Sequence, residues 1–203
     1  MKHLIGMALC AVAMQLLSVV TMAQEHERET YYFRAGVGYP FVRYSDGMRE
    51  YTEFLRSESG HRSLLAAMDI GLYWPILNHR ALLGMAVTGF FDTYEGPGWN
   101  ASLNFAQFGP SMQYTFTGIA GEGVYVRLDP GLVMQWNQVD ISDGKERVRY
   151  EIADNSGFGI LLGLGYAYPV WPSTRLSVEL SYGHRVSSSH RAQSVEFLLG
   201  VLW

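Results

Sequence analysis

Residues 124–137 read VYVRLDPGLVMQWN, and along this stretch large apolar side chains alternate with small, polar or charged ones. Successive side chains of a β-strand point to opposite faces of a sheet, so a period of two predicts a strand. The apolar face carries Val124, Val126, Leu128, Leu132, Met134 and Trp136. The opposite face carries Arg127, Asp129, Gly131, Gln135 and Asn137. The fold must therefore provide an apolar environment on one side of this strand and a polar one on the other.

The same alternation recurs seven more times along the chain. The eight predicted strands are residues 30–41, 62–74, 80–91, 108–116, 124–137, 158–168, 176–182 and 195–203. Short turns follow the second, fourth and sixth strands, whereas longer polar loops are expected after the first, third and fifth. The longest of these loops are residues 43–61 and 139–155. Short connections on one side of a sheet and long ones on the other are typical of transmembrane barrels.

The composition narrows the class of protein. The chain has 203 residues, of which 48% are hydrophobic and 17% are charged, so its polar surface is thin for a water-soluble domain. A formal net charge of −4 provides no basic field for a polyphosphate backbone, which argues against nucleic-acid binding. The one cysteine, Cys10, lies in an N-terminal apolar segment, so no disulfide or Cys-based metal site is expected in the processed chain.

The N-terminal segment has the layout of a secretory signal peptide. Lys2 and His3 precede an apolar run over residues 4–20, and the small residue Ala23 stands before Gln24. We expect cleavage after Ala23. The predicted organisation is a removed signal peptide at residues 1–23, followed by a single barrel domain at residues 24–203.

The size of the side chains decides which face of the strands points inward. Eight strands enclose an interior only wide enough for side chains to fill, so the large apolar and aromatic residues cannot all lie inside. They must point outward, where hydrocarbon accommodates them and water does not. Aromatic residues near the strand ends fit interfacial girdles: Trp74, Tyr114, Phe116, Trp136, Tyr166, Tyr168 and Trp203. The sequence therefore predicts an all-β, eight-stranded, antiparallel up-and-down transmembrane β-barrel.

The chain ends in VEFLLGVLW over residues 195–203, which alternates apolar residues and closes on an aromatic one. With this ending, the signal peptide and the eight amphipathic strands, the chain resembles the small porin-like outer-membrane β-barrels of Gram-negative bacteria, typified by the OmpA transmembrane domain and OmpX. Most members of that family end in Phe, where this chain has Trp203. The resemblance implies a monomer in the cell outer membrane, in contact with lipid and lipopolysaccharide. It also implies a terminal signal for the barrel-assembly machinery, formed by Phe197, Leu199, Val201 and Trp203.

Charged residues on the inward-facing side predict an ionic network in the lumen. Its expected members are Arg34, Asp69, Arg127, Asp129, Glu179 and Glu196. Buried charges must pair, because an unpaired one costs several kcal/mol. Arg34 lies on the first strand, which neighbours the second and the eighth, so Asp69 and Glu196 are its expected partners. The alternative interpretation of the same residues is a gated ion path or a proton-linked switch.

An acyl-transfer site is a further hypothesis, built on His184, Ser187 and Glu196. These ingredients are similar to those of the lipid A deacylase barrels, whose motif runs His-x-Ser-Asn before a downstream Glu. Here the spacing from His184 to Ser187 has one extra residue and no Asn follows. Parity also points His184 outward and Glu196 inward, so the two should not meet. The sequence therefore predicts a protein that is not an enzyme and has no cofactor.

The two long connections suggest surface sites. A cluster of Asp140, Asp143, Glu146, Glu151 and Asp154 could bind a divalent cation or form a solvated loop. Aromatic and apolar residues of the first connection could form a contact patch or pack on one another: Tyr44, Tyr51, Phe54 and Leu55. The predicted function is a structural or surface-contact role through residues 43–61 and 139–155, for an extracellular ligand or surface. The alternatives are a narrow conduit for small solutes and a lipid A-modifying acyl hydrolase.

Overall fold

A computed structural model describes residues 31–58, 60–117, 119, 121–142, 147–188 and 190–203. Within these residues the chain forms eight strands and a single helix. The strands are β1 (Tyr32–Tyr44), β2 (His61–Ile76), β3 (Ala81–Gly96), β4 (Trp99–Thr115), β5 (Gly123–Ser142), β6 (Arg147–Trp171), β7 (Thr174–Ser187) and β8 (Arg191–Leu202). The helix, α1 (Asp46–Ser57), lies between β1 and β2. The predicted signal peptide, residues 1–23, lies outside the described residues.

The strands close into a barrel. Each strand pairs in antiparallel fashion with the next along the chain, and β1 also pairs with β8. Ala35, for example, lies opposite Ile70 of β2 on one side and Val201 of β8 on the other. Closure leaves no strand with an unpaired backbone edge. The predicted eight-stranded, antiparallel up-and-down β-barrel is confirmed.

The two faces of each strand differ as the alternation predicted. On β5, Leu132 is 66% exposed on the outer wall, whereas the inward-facing Arg127 is only 2% exposed. The outer wall carries a band of large apolar side chains, which on β5 runs from Val124 to Trp136. Long polar and charged side chains are buried in the interior, among them those of Arg34, Arg127 and Glu179. This distribution is the reverse of that in a water-soluble protein.

The apolar band ends before the strands do. On β3 and β4, the outward-facing positions beyond the band are polar, and they include Thr93, Glu95, Asn100 and Ser102. Strands β5 and β6 extend furthest, with 20 and 25 residues. A tilted strand needs only about 9–11 residues to cross a bilayer. The upper part of the barrel therefore stands clear of its apolar band.

Residues 43–61, which we expected to form a polar loop, instead contain helix α1. Its buried residues Met48, Thr52 and Leu55 recur at helical spacing, so one side of the helix packs against the barrel. Asp46 in the first turn and Arg56 in the last turn complement the helix dipole. Among the described residues, no helix has the length and apolar character needed to cross a membrane.

The loops expected after the third and fifth strands are also largely strand. β3 and β4 are joined by a tight turn over residues 97–98, in which Gly98 has a φ of +78° that favours glycine. Much of residues 139–155 belongs to the long β5–β6 hairpin. Polar residues can continue a ladder beyond the apolar band, because backbone pairing does not require an apolar face. The expectation of long polar loops at these two places is wrong.

Candidate functional site

A cluster of buried charges crosses the lumen at the level of Arg34 on β1. The Arg34 guanidinium forms ion pairs with Asp69 of β2 (Nε to Oδ2, 2.6 Å) and with Glu179 of β7 (Nη2 to Oε2, 2.7 Å). Arg34 is thus held by carboxylates from the neighbouring strand and from a strand that is not its sequence neighbour. All three side chains are buried. The cluster therefore ties separate parts of the wall together.

Arg127 of β5 is the second cation of this cluster. It donates hydrogen bonds to both Asp69 oxygens (Nη1 to Oδ2, 2.6 Å; Nη2 to Oδ1, 2.8 Å). It also donates to Asp129 (Nη2 to Oδ2, 2.5 Å) and, more weakly, to Glu179 (Nη1 to Oε1, 3.4 Å). Planar fork-to-fork contacts of this kind are the strongest side-chain hydrogen bonds in proteins. Asp69 bridges the two guanidinium groups, because it contacts both Arg34 and Arg127.

Neutral side chains complete the layer. Tyr125 donates to Glu179 Oε2 (2.9 Å), and Gln113 accepts from Arg34 Nη1 (3.2 Å). Ser111 donates to Asp129 and lies 3.0 Å from the Tyr73 hydroxyl. These partners lie on β2, β4 and β5, and they were not among the expected members of the lumen network. Their inward parity was the signal that could have identified them.

Glu196 does not belong to this layer. It accepts from Arg185 Nη1 (2.7 Å) and from Ser194 (2.6 Å), and Arg185 lies over the Phe90 ring. In the β1–β8 register, Glu196 faces Pro40, which is six residues from Arg34. At about 3.3 Å per residue this offset is roughly 20 Å along the strand. The expected Arg34–Glu196 pair is therefore wrong, although both side chains point into the lumen.

Helix α1 and aromatic residues form a second layer nearer the end of the barrel that carries α1. Phe90 of β3 and Phe105 of β4 stack with ring centroids 5.2 Å apart. Tyr44 packs beside both rings, and Met48 and Leu55 of α1 belong to the same buried cluster. Of the four residues that could form a contact patch, Tyr44 and Leu55 are thus packed inside, while Phe54 remains exposed.

Asp92 organises the rim above the apolar band. It accepts hydrogen bonds from Tyr44 (2.7 Å), Tyr94 (3.2 Å) and Arg62 (3.1 Å). Burial, together with the nearby Asp92 carboxylate, raises the pKa values of Tyr44 and Tyr94. Both phenols therefore remain protonated donors at neutral pH. This network links the end of β1, which α1 directly follows, to β2 and β3.

The structure does not bring the hypothetical acyl-transfer residues together. The His184 ring lies on the outer wall, with Nδ1 3.5 Å from Gln193 Nε2. Ser187 points inward and donates to Gln135 Oε1 (2.7 Å). Glu196 is engaged by Arg185, as described above. His184 and Ser187 lie on opposite faces of β7, because they are three positions apart in a strand of period two.

The acidic cluster of the fifth connection is only partly described. Asp140 pairs with Arg149 (Oδ1 to Nε, 2.9 Å) across the β5–β6 hairpin. Asp143 and Glu146 lie outside the described residues, as do the side chains of Glu151 and Asp154. Within the part of the chain that is described, no three His, Cys, Asp or Glu side chains are grouped so that they could hold a metal ion.

The C-terminal residues of the predicted assembly signal lie on the outer wall of β8. Phe197 and Leu199 are exposed, and Val201 is half-buried in the same row. The Trp203 ring packs against Phe33 of β1 with centroids 5.0 Å apart. The backbones of Phe33 and Trp203 also exchange two hydrogen bonds (2.6 and 3.0 Å). The chain terminus thus seals the seam between the first and last strands.

No protein-family model matches the chain, and no curated protein matches it. Solved structures do. The barrel is similar to Ail, the attachment invasion locus protein of Yersinia pestis, with a TM-score of 0.53 and 10% identity over 85% of this chain and 98% of that one. It is also similar to Neisserial surface protein A (TM-score 0.47, 17% identity, 86% and 96% covered). The N-terminal β-barrel domain of Pseudomonas aeruginosa OprF has a TM-score of 0.41 and 13% identity, with 86% and 98% covered.

The fold is that of the small outer-membrane β-barrels. The predicted resemblance to this group is confirmed at the level of architecture. Identities of 10–17% show a shared fold and not a shared activity. What the barrel does must therefore be argued from its own surfaces and interior.

Proposed function

We propose that this protein is an outer-membrane β-barrel with a closed lumen and a structural or surface-contact role. The observation that carries the proposal is the inverted distribution of side chains. Leu132 and Leu164 of the outer wall are 66% and 57% exposed, while Arg34, Arg127 and Glu179 are buried inside. Exposed apolar surface of this extent is unfavourable in water by about 25 cal/mol per Å², and hydrocarbon removes that penalty.

The orientation follows from the two ends of the barrel. The turns at residues 77–80 and 172–173 are short, whereas the opposite end carries α1 and the long β5–β6 hairpin. Short turns in barrels of this kind face the periplasm. The predicted signal peptide at residues 1–23 supports export to that compartment. Outer-membrane lipid, lipopolysaccharide and the barrel-assembly machinery are the partners that this placement implies.

Two layers support a closed lumen. The charges around Arg34 and Arg127 occupy the cross-section in one layer, and α1 with Phe90 and Phe105 occupies it in the next. A conduit would require both layers to move. An acyl hydrolase would require His184 and Ser187 to lie on the same face of β7. We therefore propose a protein that neither conducts nor catalyses.

The tip of the β5–β6 hairpin supports the surface-contact role. Ile141, Val148 and Tyr150 are 46%, 44% and 55% exposed. Ile141 pairs with Val148, and Tyr150 pairs with Val139, so these residues share one face of the hairpin. They lie beyond the apolar band, where lipid does not cover them. An exposed apolar face in that position suits contact with an extracellular surface.

Membrane insertion is tested on the refolded protein in phosphatidylcholine vesicles. We expect the unheated sample to migrate differently from the boiled sample in a detergent gel, because a closed barrel resists unfolding until heated. Identical migration, together with release of the protein by an alkaline wash, would contradict the proposal. In planar bilayers we expect no steady single-channel current. A reproducible current would contradict the closed lumen and would favour a narrow conduit for small solutes.

The contact surface is tested on cells that display the protein. We expect the triple variant Ile141→Ser, Val148→Ser, Tyr150→Ser to lower retention of the cells on an octyl-coated surface to that of cells without the barrel. Leu77→Ser is the control, because Leu77 is also an exposed apolar residue (66%) but lies in a short turn at the opposite end. Equal losses in the two variants, or no loss in either, would count against a contact role for the tip.

A further inference from the structure

A basic cleft lies on the outer wall where α1 leaves the barrel. Its volume is about 360 Å³. The residues that line it include Arg43, Asp46, Arg49, His184, Arg191 and Gln193. None of these side chains belongs to the lumen network or to the hairpin tip. The proposed function therefore does not account for this cleft.

Three of the lining residues form a continuous row across the wall. Arg43 of β1 lies opposite Gln193 of β8, and Gln193 lies opposite His184 of β7. All three occupy outward-facing positions in their strands. Antiparallel neighbours on one face have their Cβ atoms about 4.5–5.5 Å apart. A guanidinium, a carboxamide and an imidazole are thus presented side by side on rigid strands.

The positive charges of the cleft are only partly neutralised. Arg49 pairs with Asp46 (3.1 Å) and lies 4.0 Å from Glu53. Among the described residues, neither Arg43 nor Arg191 has a carboxylate within ion-pair distance. A backbone hydrogen bond from Ser45 N to Arg191 O (2.9 Å), together with one from Arg191 N to the Ser45 hydroxyl (3.3 Å), fixes the start of α1 against β8 and holds the Arg191 backbone beside the row. The cleft therefore keeps an excess of positive charge.

The cleft also lies at a defined height on the barrel. Two residues further into the apolar band, the register aligns Phe41, Val195 and Tyr182 in the row next to the cationic one. All three of these side chains are exposed on the outer wall. Two residues correspond to about 7 Å along a strand. A cationic row this close to an apolar and aromatic row matches the boundary between the headgroups and chains of a lipid leaflet.

We propose that this cleft binds the phosphate headgroup of a lipid in the outer leaflet, with its acyl chains lying over Phe41, Val195 and Tyr182. Arg43 and Arg191 would contact the phosphate oxygens, because guanidinium groups match that geometry and remain charged. Gln193 and His184 supply hydrogen-bonding groups beside them. This inference rests on the proposed placement of the barrel in the membrane, and it assigns one lipid-binding site on the outer wall.

The test uses the refolded barrel in zwitterionic detergent micelles, with phosphatidic acid as the probe and native mass spectrometry as the readout. We expect Arg43→Gln/Arg191→Gln to weaken phosphatidic acid binding at least about tenfold, through loss of two charge-assisted contacts. Arg80→Gln is the matched control, since Arg80 is exposed in the short turn at the other end. We expect it to change binding less than about twofold. The charge-preserving variant Arg43→Lys/Arg191→Lys should restore most of the affinity.

The outcomes separate this site from the proposed function. Failure of the wild-type protein to insert into vesicles would overturn the membrane placement and the lipid site with it. Insertion with equal phosphatidic acid binding by the wild-type and Arg43→Gln/Arg191→Gln proteins would overturn the site alone. Displacement of phosphatidic acid by inorganic phosphate at a similar concentration to that of the lipid would show that the cleft binds free phosphate. This result would overturn the lipid assignment. Selective loss in the Gln variant, with retention in Arg80→Gln, would support it.

Discussion

Arg34 illustrates at the residue scale how the barrel interior is held together. Its guanidinium contacts Asp69 and Glu179, and both carboxylates are fully buried. Removal of one partner from a buried ion pair leaves an uncompensated charge and typically costs about 3–5 kcal/mol. We predict that Arg34→Met lowers the free energy of unfolding by about that amount. The measurement is urea unfolding of the barrel in vesicles.

The same change can be dissected with a double variant. Glu179→Gln removes a negative charge from the cluster, so it should offset part of the imbalance that Arg34→Met creates. We expect the two substitutions to be non-additive by at least about 1 kcal/mol. Arg80→Met, at an exposed turn position, should stay within about 0.5 kcal/mol of the wild type. Additive losses, or an Arg34→Met protein as stable as Arg80→Met, would contradict this pairing.

Gly165 of β6 makes room for Tyr125, the phenol that contacts Glu179. A Cβ at Gly165 would overlap the Tyr125 ring atoms. We predict that Gly165→Ala lowers the free energy of unfolding by about 1–3 kcal/mol, as overpacking does. Gly47→Ala is the control, because a Cβ there meets open space on α1 and should be neutral or stabilising. Comparable urea midpoints for the two variants would remove the steric role of Gly165.

Parity allowed the inward residues to be predicted, and the adjacency of β1 and β2 identified Asp69 as a partner of Arg34, but neither identified Glu179. Alternation along each strand is a local property, so Arg34, Asp69 and Glu179 could each be assigned to the lumen from sequence. The Arg34–Glu179 contact depends on the stagger of β1 against β7 around the barrel, which no local pattern encodes. The mistaken Arg34–Glu196 pair has the same cause, because adjacency of β1 and β8 does not fix which residues face each other.

Helix α1 packs over one end of the barrel through its buried face. Met48 is buried among Tyr44, Phe90 and Phe105, so a charge at this position would be placed in an apolar cluster. We predict that Met48→Asp detaches and unfolds α1, so that trypsin cleaves after Arg49 and Arg56, while the barrel keeps its heat-dependent gel migration. Limited proteolysis followed by mass spectrometry measures the cleavage. Glu53→Asp, on the exposed side of α1, is the control and should resist trypsin as the wild type does.

An intact α1 in Met48→Asp would mean that the helix does not depend on its buried face. Loss of the heat-dependent migration together with trypsin cleavage would mean that α1 and the barrel unfold as one unit. Either result would contradict the prediction that α1 detaches while the barrel stays folded.

Two elements escaped prediction for different physical reasons. The helical spacing of Met48, Thr52 and Leu55 was present in the sequence, but strong charges around it favoured a solvated loop. In the β5–β6 hairpin, Val139, Ile141, Val148 and Tyr150 alternate with polar residues, yet acidic residues between them masked the pattern. The apolar band could be predicted because its alternation is driven by burial. The strand segments beyond the band could not be predicted, because there the backbone hydrogen bonds between strands determine the structure and the side chains do not.

In the proposed placement of the whole molecule, the apolar outer wall of the barrel faces lipid and its upper part stands in water. These two environments can be compared within one strand, because β6 carries Leu164 inside the apolar band and Val148 near the hairpin tip. Both side chains are exposed, at 57% and 44%, so replacement by a labelled cysteine should leave the barrel intact. The only cysteine of the chain, Cys10, lies in the predicted signal peptide and would not interfere.

The most direct measurement is therefore the electron paramagnetic resonance accessibility of spin labels at Leu164→Cys and Val148→Cys in vesicles. We predict that the label at position 164 collides readily with oxygen, which concentrates in lipid, and rarely with a water-soluble nickel chelate. The label at position 148 should show the opposite preference. If the nickel chelate reached both labels equally, the outer wall would lie in water, and the assignment of this protein as a membrane barrel would be wrong.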